Sequence, residues 1–173
     1  MASNPDYDPN AWVGGISVAE YNQIKENNSL FNKAISGSYA PGSIFKMVTA
    51  LAGLESGVIS TTEKINDTGI YTRYRDYQPR CWYYNSYHRG HGYLDVSGAI
   101  EKSCNYFFYE TGNRMGIETL DKYANYFGLG RKTGIELPSE TSGTLASPEA
   151  AKKVNETWSS GQTLQAAIGQ SYN

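Results

Sequence analysis

Behind a Pro41-Gly42 break, Ile44, Met47, Val48, Leu51, Leu54 and Val58 recur at helical spacing, and apolar residues so distributed cover far more than a narrow stripe. A helix from Ser43 to about Gly57 with so apolar a surface has to be buried, so the fold must be assembled around it. The other elements are read as its packing partners. Ser17 with Glu20 three residues later predicts a short helix through Ser29, because the two side chains can cap each other's backbone N–H groups. Asp95 to Lys102 and Tyr106 to Met115 predict helices, and Ile117 to Phe127 with its Gly128 stop makes a helical hairpin with the second of these. Gly130 to Pro138 predicts a short extended piece, Ser147 to Lys153 a helix turn, and Thr163 to Gly169 the start of a helix cut short by the C-terminus. Between Ile65 and Tyr93, tyrosines, arginines, Gly90 and Gly92 follow no period, which predicts an irregular insertion or short strands that need some stabilisation besides a core of their own.

A chain of 173 residues accommodates one domain with a real core, and two would be a tight fit. Its net charge of -2 and lack of a Lys/Arg block argue against nucleic-acid binding, which needs clustered cations to displace counterions. Fifteen tyrosines and a mean hydropathy of -0.54 suit an open groove for an extended polar ligand. No stretch approaches the roughly 20 apolar residues of a membrane helix, and no signal segment opens the chain. Met1-Ala2-Ser3 reads as a cloning remnant ahead of the loop Asn4-Pro5-Asp6-Tyr7-Asp8-Pro9-Asn10, so the natural protein is expected to be longer at this end.

Chemistry concentrates at Pro41-Gly42-Ser43-Ile44-Phe45-Lys46. The spacing places a serine in the first turn of the buried helix and a lysine three residues on along the same face. Serine is a weak nucleophile without an adjacent base, and burial and the helix dipole both disfavour the charged lysine. A neutral Lys46 is therefore a base for Ser43, although a lone S-x-x-K is more often an ordinary cap followed by a solvated lysine. Ser103-Cys104-Asn105, directly before the aromatic run Tyr106-Phe107-Phe108-Tyr109, changes the weighting.

With both motifs present the chain resembles the penicillin-binding protein and serine β-lactamase superfamily, whose signatures are S-x-x-K, S-x-N and K-T-G. Gly90-His91-Gly92, Ala99-Ile100, Thr133-Gly134-Ile135, Leu137-Pro138, Glu140 and Gly169-Gln170 are similar, in order, to segments of class B penicillin-binding proteins of the PBP2 type. The resemblance covers nearly the whole chain. It implies a mostly α chain, the helical lobe of the α/β transpeptidase fold, with the central β-sheet largely missing and residues 1–173 forming one transpeptidase domain truncated at both ends. It implies that Ser43 attacks a D-Ala-D-Ala carbonyl, Lys46 is the base, Ser103 relays the proton to the leaving amine and Asn105 holds the substrate amide, with the Ser43 N–H as part of an oxyanion hole. The implied partners are peptidoglycan stem peptides, β-lactam antibiotics and a cell-wall synthesis complex. The implied location is the extracytoplasmic face of the membrane, anchored by an N-terminal segment. A serine β-lactamase or β-lactam sensor, and a non-catalytic cell-wall scaffold, are the alternatives. Lys132-Thr133-Gly134 has the letters of the third signature but no β-branched strand around it, so it reads as a decoy, the true motif is expected beyond Asn173, and this chain alone is expected to acylate poorly.

The acyl-transfer chemistry requires no cofactor. Even so, Cys81, His88, His91 and Cys104, every cysteine and histidine in the chain, are candidate ligands of a structural zinc, which takes four N and S donors in a tetrahedron. A Cys81–Cys104 disulfide and plain buried thiols are the alternatives. If Ser103 and Asn105 face the cleft, Cys104 between them has to face away.

Overall fold

The computed structural model describes residues 2–171, which divide into two compact units, one of residues up to Tyr39 with Lys132–Ser142, the other of Ala40–Arg131 with the described residues from Gly143 onward. In the first unit, α1 (Val18–Glu26) begins with the reciprocal Ser17–Glu20 capping box that the spacing predicted. Tyr7, Trp12 and Tyr21 form an edge-to-face ladder, each pair of ring centroids 6.1 Å apart. The two segments of this unit are tied by Thr141 N–H to the Ile35 carbonyl at 2.9 Å and by Ser36 Oγ–H to the Ser139 carbonyl at 2.8 Å. The predicted extended piece from Gly130 to Pro138 forms no strand. Instead the Lys132-Thr133-Gly134 loop folds onto one carboxylate. Thr133 N–H and Oγ–H donate to Glu140 Oε1 at 2.7 and 2.6 Å, and Gly134 N–H donates to Oε2 at 3.3 Å.

The second unit is helical around α5 (Asn105–Met115). Against it pack α2 (Lys46–Glu55), α6 (Ile117–Tyr126) and α8 (Ser160–Ala167), with the short helices α3 (Trp82–Tyr87), α4 (Val96–Glu101) and α7 (Pro148–Lys153) at the periphery. Phe107, Phe108, Leu120, Leu164 and Ile168 are the largest fully buried side chains, and at about 2 kcal/mol or more each they are the main apolar stabilisation of this unit. The helix predicted from Ser43 opens as a 3-10 turn over Gly42–Phe45 and becomes α-helical at Lys46. The stretch over residues 65–93 contains one antiparallel pair, β1 (Ile65–Asp67) and β2 (Gly92–Leu94), with Ile65 opposite Leu94 and Asp67 opposite Gly92, and α3, which the sequence did not predict.

The last helix differs from expectation at both ends. It begins at Ser160 behind a Ser159–Gln162 capping box, and it stops at Gly169, which sits at φ 71°. A side chain at Gly169 would meet the Gly42 backbone and Phe45, and the Gly169 carbonyl accepts the Gly42 N–H at 2.9 Å. The end of α8 therefore fixes the turn that carries Ser43. Thr49 Oγ–H donates to the Ala167 carbonyl at 2.7 Å, so a buried hydroxyl of α2 satisfies a C-terminal carbonyl of α8 that has no partner within its own helix.

Where α5 crosses α8 there is no room for a methyl group on Gly112, which lies against Ala167 Cβ. Gly→Ala in a helix interior ordinarily gains about 0.5–1 kcal/mol, but overpacking costs about 1–3 kcal/mol. Gly112→Ala is therefore expected to destabilise the protein by roughly 1–2 kcal/mol. Denaturant unfolding measures this, and a stabilised variant would show that the two helices separate at no cost.

Candidate active site

Lys46, in the first turn of α2, is 2% exposed. Its ammonium donates to the Ser103 carbonyl at 2.8 Å, to Ser103 Oγ at 3.0 Å and to Asn105 Oδ1 at 2.5 Å. Three protons thus meet three acceptors from the turn between α4 and α5. Burial is the main influence on its titration and brings the ammonium down to about 8, against the opposing pull of the Cys104 and Cys81 sulfurs. As a neutral amine Lys46 keeps two donors and gains a lone pair, which the Ser103 hydroxyl can face by rotating. Ser43 is exposed on the 3-10 turn one turn upstream. No hydrogen bond joins Ser43 Oγ to Lys46 among the described residues, because the ammonium is fully used by Ser103 and Asn105.

The turn that presents those acceptors is unusual. Ser103 has φ 47°, and Cys104 caps α5 by accepting the Phe107 N–H at 3.5 Å. The reversal turns Ser103 and Asn105 to Lys46 while Cys104, fully buried, faces the opposite way, as expected for a residue between two cleft residues. The Ser103 carbonyl also accepts the Trp82 indole N–H at 3.1 Å, a proton shared with the Lys102 carbonyl at the same distance.

Behind the turn, Cys104 meets Cys81, His91 and a residue that the sequence reading missed, Asp67. The contacts run Cys104 Sγ to Asp67 Oδ2 3.3 Å, Asp67 Oδ2 to His91 Nδ1 2.7 Å, His91 Nδ1 to Cys81 Sγ 3.7 Å and Cys81 Sγ to Cys104 Sγ 4.0 Å. His88, expected as a ligand, is not among them. It ends α3 as an exposed residue at φ 54°, its ring edge-on to Tyr84, because the left-handed residue that stops α3 projects away from the core. Asp67 takes its place: in β1, Ile65, Asn66 and Asp67 alternate buried, exposed, buried, so the carboxylate occupies an inward position that residue type alone does not mark. Burial works to raise the Asp67 carboxyl, but the His91 side chain and N–H, the Gly69 N–H and the Cys104 thiol outweigh it and hold the group below its usual range. A hydrogen bond from Cys104 brings the Cys81 thiol down to about 6, while that same bond and burial push Cys104 up. The two sulfurs are not joined in a disulfide.

The donor set fits a zinc ion. Zn–S near 2.3 Å and Zn–N or Zn–O near 2.0 Å separate tetrahedral ligand atoms by roughly 3.3–3.8 Å; three of these four contacts lie within a few tenths of an ångström of that span, and all four ligand atoms lie within 4.8 Å of one another. The short Asp67–His91 edge is a hydrogen bond, and it opens if an ion takes the place of the shared proton. The Sγ separation is about twice the ~2.05 Å of a disulfide.

The family profile described as penicillin binding protein transpeptidase domain matches residues 1–173, and the chain belongs to this family of penicillin-binding transpeptidases. Within it the chain is 34% identical over 179 residues to peptidoglycan D,D-transpeptidase MrdA of Acinetobacter baumannii, a match that covers 98% of this chain and 25% of the relative. The crystal structure of Pseudomonas aeruginosa PBP2 in complex with WCK 5153 superposes with a TM-score of 0.88 at 35% identity, over 99% of this chain and 39% of that one. Helicobacter pylori PBP2 in its complex with MreC gives 0.88 at 33% identity, over 98% and 31%. The chain thus spans about a quarter to two-fifths of the length of these relatives, and its fold is the helical lobe of theirs.

Asp67 carries the cluster whether or not an ion is bound, since its oxygens accept from His91 N–H and Gly69 N–H. Asp67→Ala leaves these buried donors unpaired, at roughly 1–3 kcal/mol for each. A loss of at least about 2 kcal/mol is therefore expected in urea unfolding, and a loss below about 1 kcal/mol would mean that water replaces the carboxylate.

Proposed function

We propose that this chain carries the acylating lobe of a peptidoglycan D,D-transpeptidase, in which Ser43 is the nucleophile, Lys46 the base, Ser103 the proton relay and Asn105 the holder of the substrate amide. The observation that carries the reading is the buried Lys46 ammonium, which joins the lysine of S-x-x-K to the serine and asparagine of S-x-N by hydrogen bonds. The names of the relatives support the reaction class. The apolar face of α2 supports an incomplete domain: Ile44 and Met47 are more than 60% exposed, and sheet strands from sequence on either side of this chain would cover them. The third signature would come from the same strands, since Lys132-Thr133-Gly134 is engaged with Glu140. The PBP2–MreC complex supports a cell-wall synthesis complex as partner, and the reaction supports an extracytoplasmic location, where an N-terminal anchor would hold the protein.

In the forward reaction, Ser43 Oγ adds to the penultimate D-Ala carbonyl while its proton passes to the neutral amine of Lys46. Ser103 then gives a proton to the nitrogen of the departing D-Ala, leaving an ester on Ser43. A β-lactam carbonyl enters the same ester. A fluorescent penicillin is expected to label the full-length protein, and Ser43→Ala to abolish that labelling; an alanine variant labelled at the wild-type rate would overturn the nucleophile assignment. Lys46→Ala is expected to slow acylation by about 10²–10⁴.

The sign of the pH dependence follows from the lysine. Because its folded value is lowered to about 8, the reactive neutral fraction grows as pH rises through that value, and the acylation rate is expected to climb from pH 6 to 9 with a midpoint near 8. A rate flat over that range would remove Lys46 as the base.

The cluster of Asp67, Cys81, His91 and Cys104 would hold a structural zinc, whose contribution is charge neutralisation for two thiolates and a carboxylate and a fixed seat for the Ser103–Asn105 turn. Elemental analysis is expected to find about one zinc per chain. A strong chelator is expected to lower Tm by roughly 5–10 °C, the shift for a few kcal/mol of linked binding, and to slow penicillin labelling with it. Metal-free protein with an unchanged Tm, or a mapped Cys81–Cys104 disulfide, would overturn the zinc assignment alone.

A further inference from the structure

In the proton transfer proposed above, a neutral Lys46 keeps two protons and one lone pair, so the two acceptors that hold those protons decide where the lone pair points. One is Asn105 Oδ1 at 2.5 Å, carried on the first residue of α5. The other is the Ser103 carbonyl at 2.8 Å, and it belongs to a turn at φ 47° outside any helix. On its amide edge the Ser103–Cys104 peptide is held by Cys104 N–H to the Ala99 carbonyl at 2.9 Å. A single hydrogen bond is a pivot, and the peptide plane can still tilt about it. On the carbonyl edge the Trp82 indole N–H donates to the Ser103 oxygen at 3.1 Å, sharing its proton with the Lys102 carbonyl. Bonds at opposite edges set the plane.

We propose that Trp82 is a positioning residue for the acylation step, whose indole N–H clamps the Ser103–Cys104 peptide and thereby aims Lys46. The inference rests on the function proposed above. Lys46 gains and loses a charge in each acylation, so its own bond to the carbonyl changes strength as the reaction proceeds. An indole N–H is a donor only and does not titrate, and its bond stays while the amine changes state. The indole is itself fixed. Trp82 opens α3 directly behind Cys81, whose N–H donates to the Gly69 carbonyl at 2.8 Å. Its rings stand edge-on to Tyr83 at 5.6 Å and to His91 at 5.7 Å. The segment over residues 65–93 thus reaches an acceptor of the lysine through one proton, and a reacting group held to a fraction of an ångström needs such outside support.

The test follows labelling of full-length protein by a fluorescent penicillin over a range of concentrations, which separates the limiting acylation rate from the half-saturating concentration. Trp82 is 42% exposed, so replacements there are expected to fold. Trp82→Phe keeps a ring and removes the donor. It is expected to lower the limiting rate by about tenfold, with the half-saturating concentration and the final labelled fraction unchanged. Trp82→Gln removes the ring but carries an N–H at the same number of bonds from Cβ, and it is expected to bring the rate back to within about threefold of wild type. A residue that merely packs on Tyr83 and His91 gives the opposite order, with Trp82→Phe the milder change and the loss appearing in Tm and in the labelled fraction. That order, a limiting rate in Trp82→Phe equal to wild type, or a loss that follows the zinc content of the variants instead of the N–H, would overturn the role. Wild type that takes up no penicillin is a distinct result, since it removes the transpeptidase reading and the positioning role with it.

Discussion

A cation buried at the first turn of a helix is the constraint on which the second unit depends. The N-terminus of α2 is the wrong end for a positive charge, because the dipole and the loss of water both oppose it. Lys46 is held there because three acceptors converge on it, two of them from Ser103 alone. Ser103 supplies both its carbonyl and its hydroxyl to that donor from a left-handed conformation, and Cys104 beside it is buried against Cys81 and Asp67. The energetic burden of the lysine therefore spreads outward, through one strained residue, to a cluster of thiols, imidazole and carboxylate at the back of the turn.

The same connectivity explains why an irregular segment can serve a site that needs rigid geometry. Residues 65–93 contribute only three residue pairs of sheet and one short helix, far too little to hold a shape by themselves. They are fixed by Asp67, Cys81 and His91 at one end and by the Trp82 indole on the Ser103 carbonyl at the other. Small hydrophobic elements and polar tethers share the task, and the polar ones lie next to the chemistry.

Much of this was legible in the sequence. The apolar spacing announced the helix but not its buried face, since Ile44, Met47 and Leu51 are exposed and the side turned inward is Lys46, Thr49, Ala50, Ala52 and Gly53; the capping box was announced by Ser17 and Glu20, and both motifs by residue type and position. What the sequence could not give was which histidine joins the thiols. His88 and His91 are three apart, and only the left-handed stop of α3, a tertiary outcome, turns one outward. Asp67 was missed because a single acidic residue in a polar stretch carries no signal until its strand partner fixes the parity. The end of α8 was misread because the Gly42–Gly169 contact that halts it joins residues 127 positions apart, beyond the reach of any local pattern.

The left-handed Ser103 also sets how this region can change over generations. Three successive residues point alternately to the cleft, to the cluster and to the cleft again, so an insertion or deletion between Glu101 and Tyr106 would exchange the two faces at one stroke. Variation must therefore proceed there by replacement at fixed length. The loop from Thr72 to Gln78, closed at its neck by Tyr71 N–H to the Pro79 carbonyl and Cys81 N–H to the Gly69 carbonyl, contributes no acceptor to Lys46, and what it constrains is its own seat on α5 and α8, through Tyr74 to Asn113 and Tyr77 to Gln165.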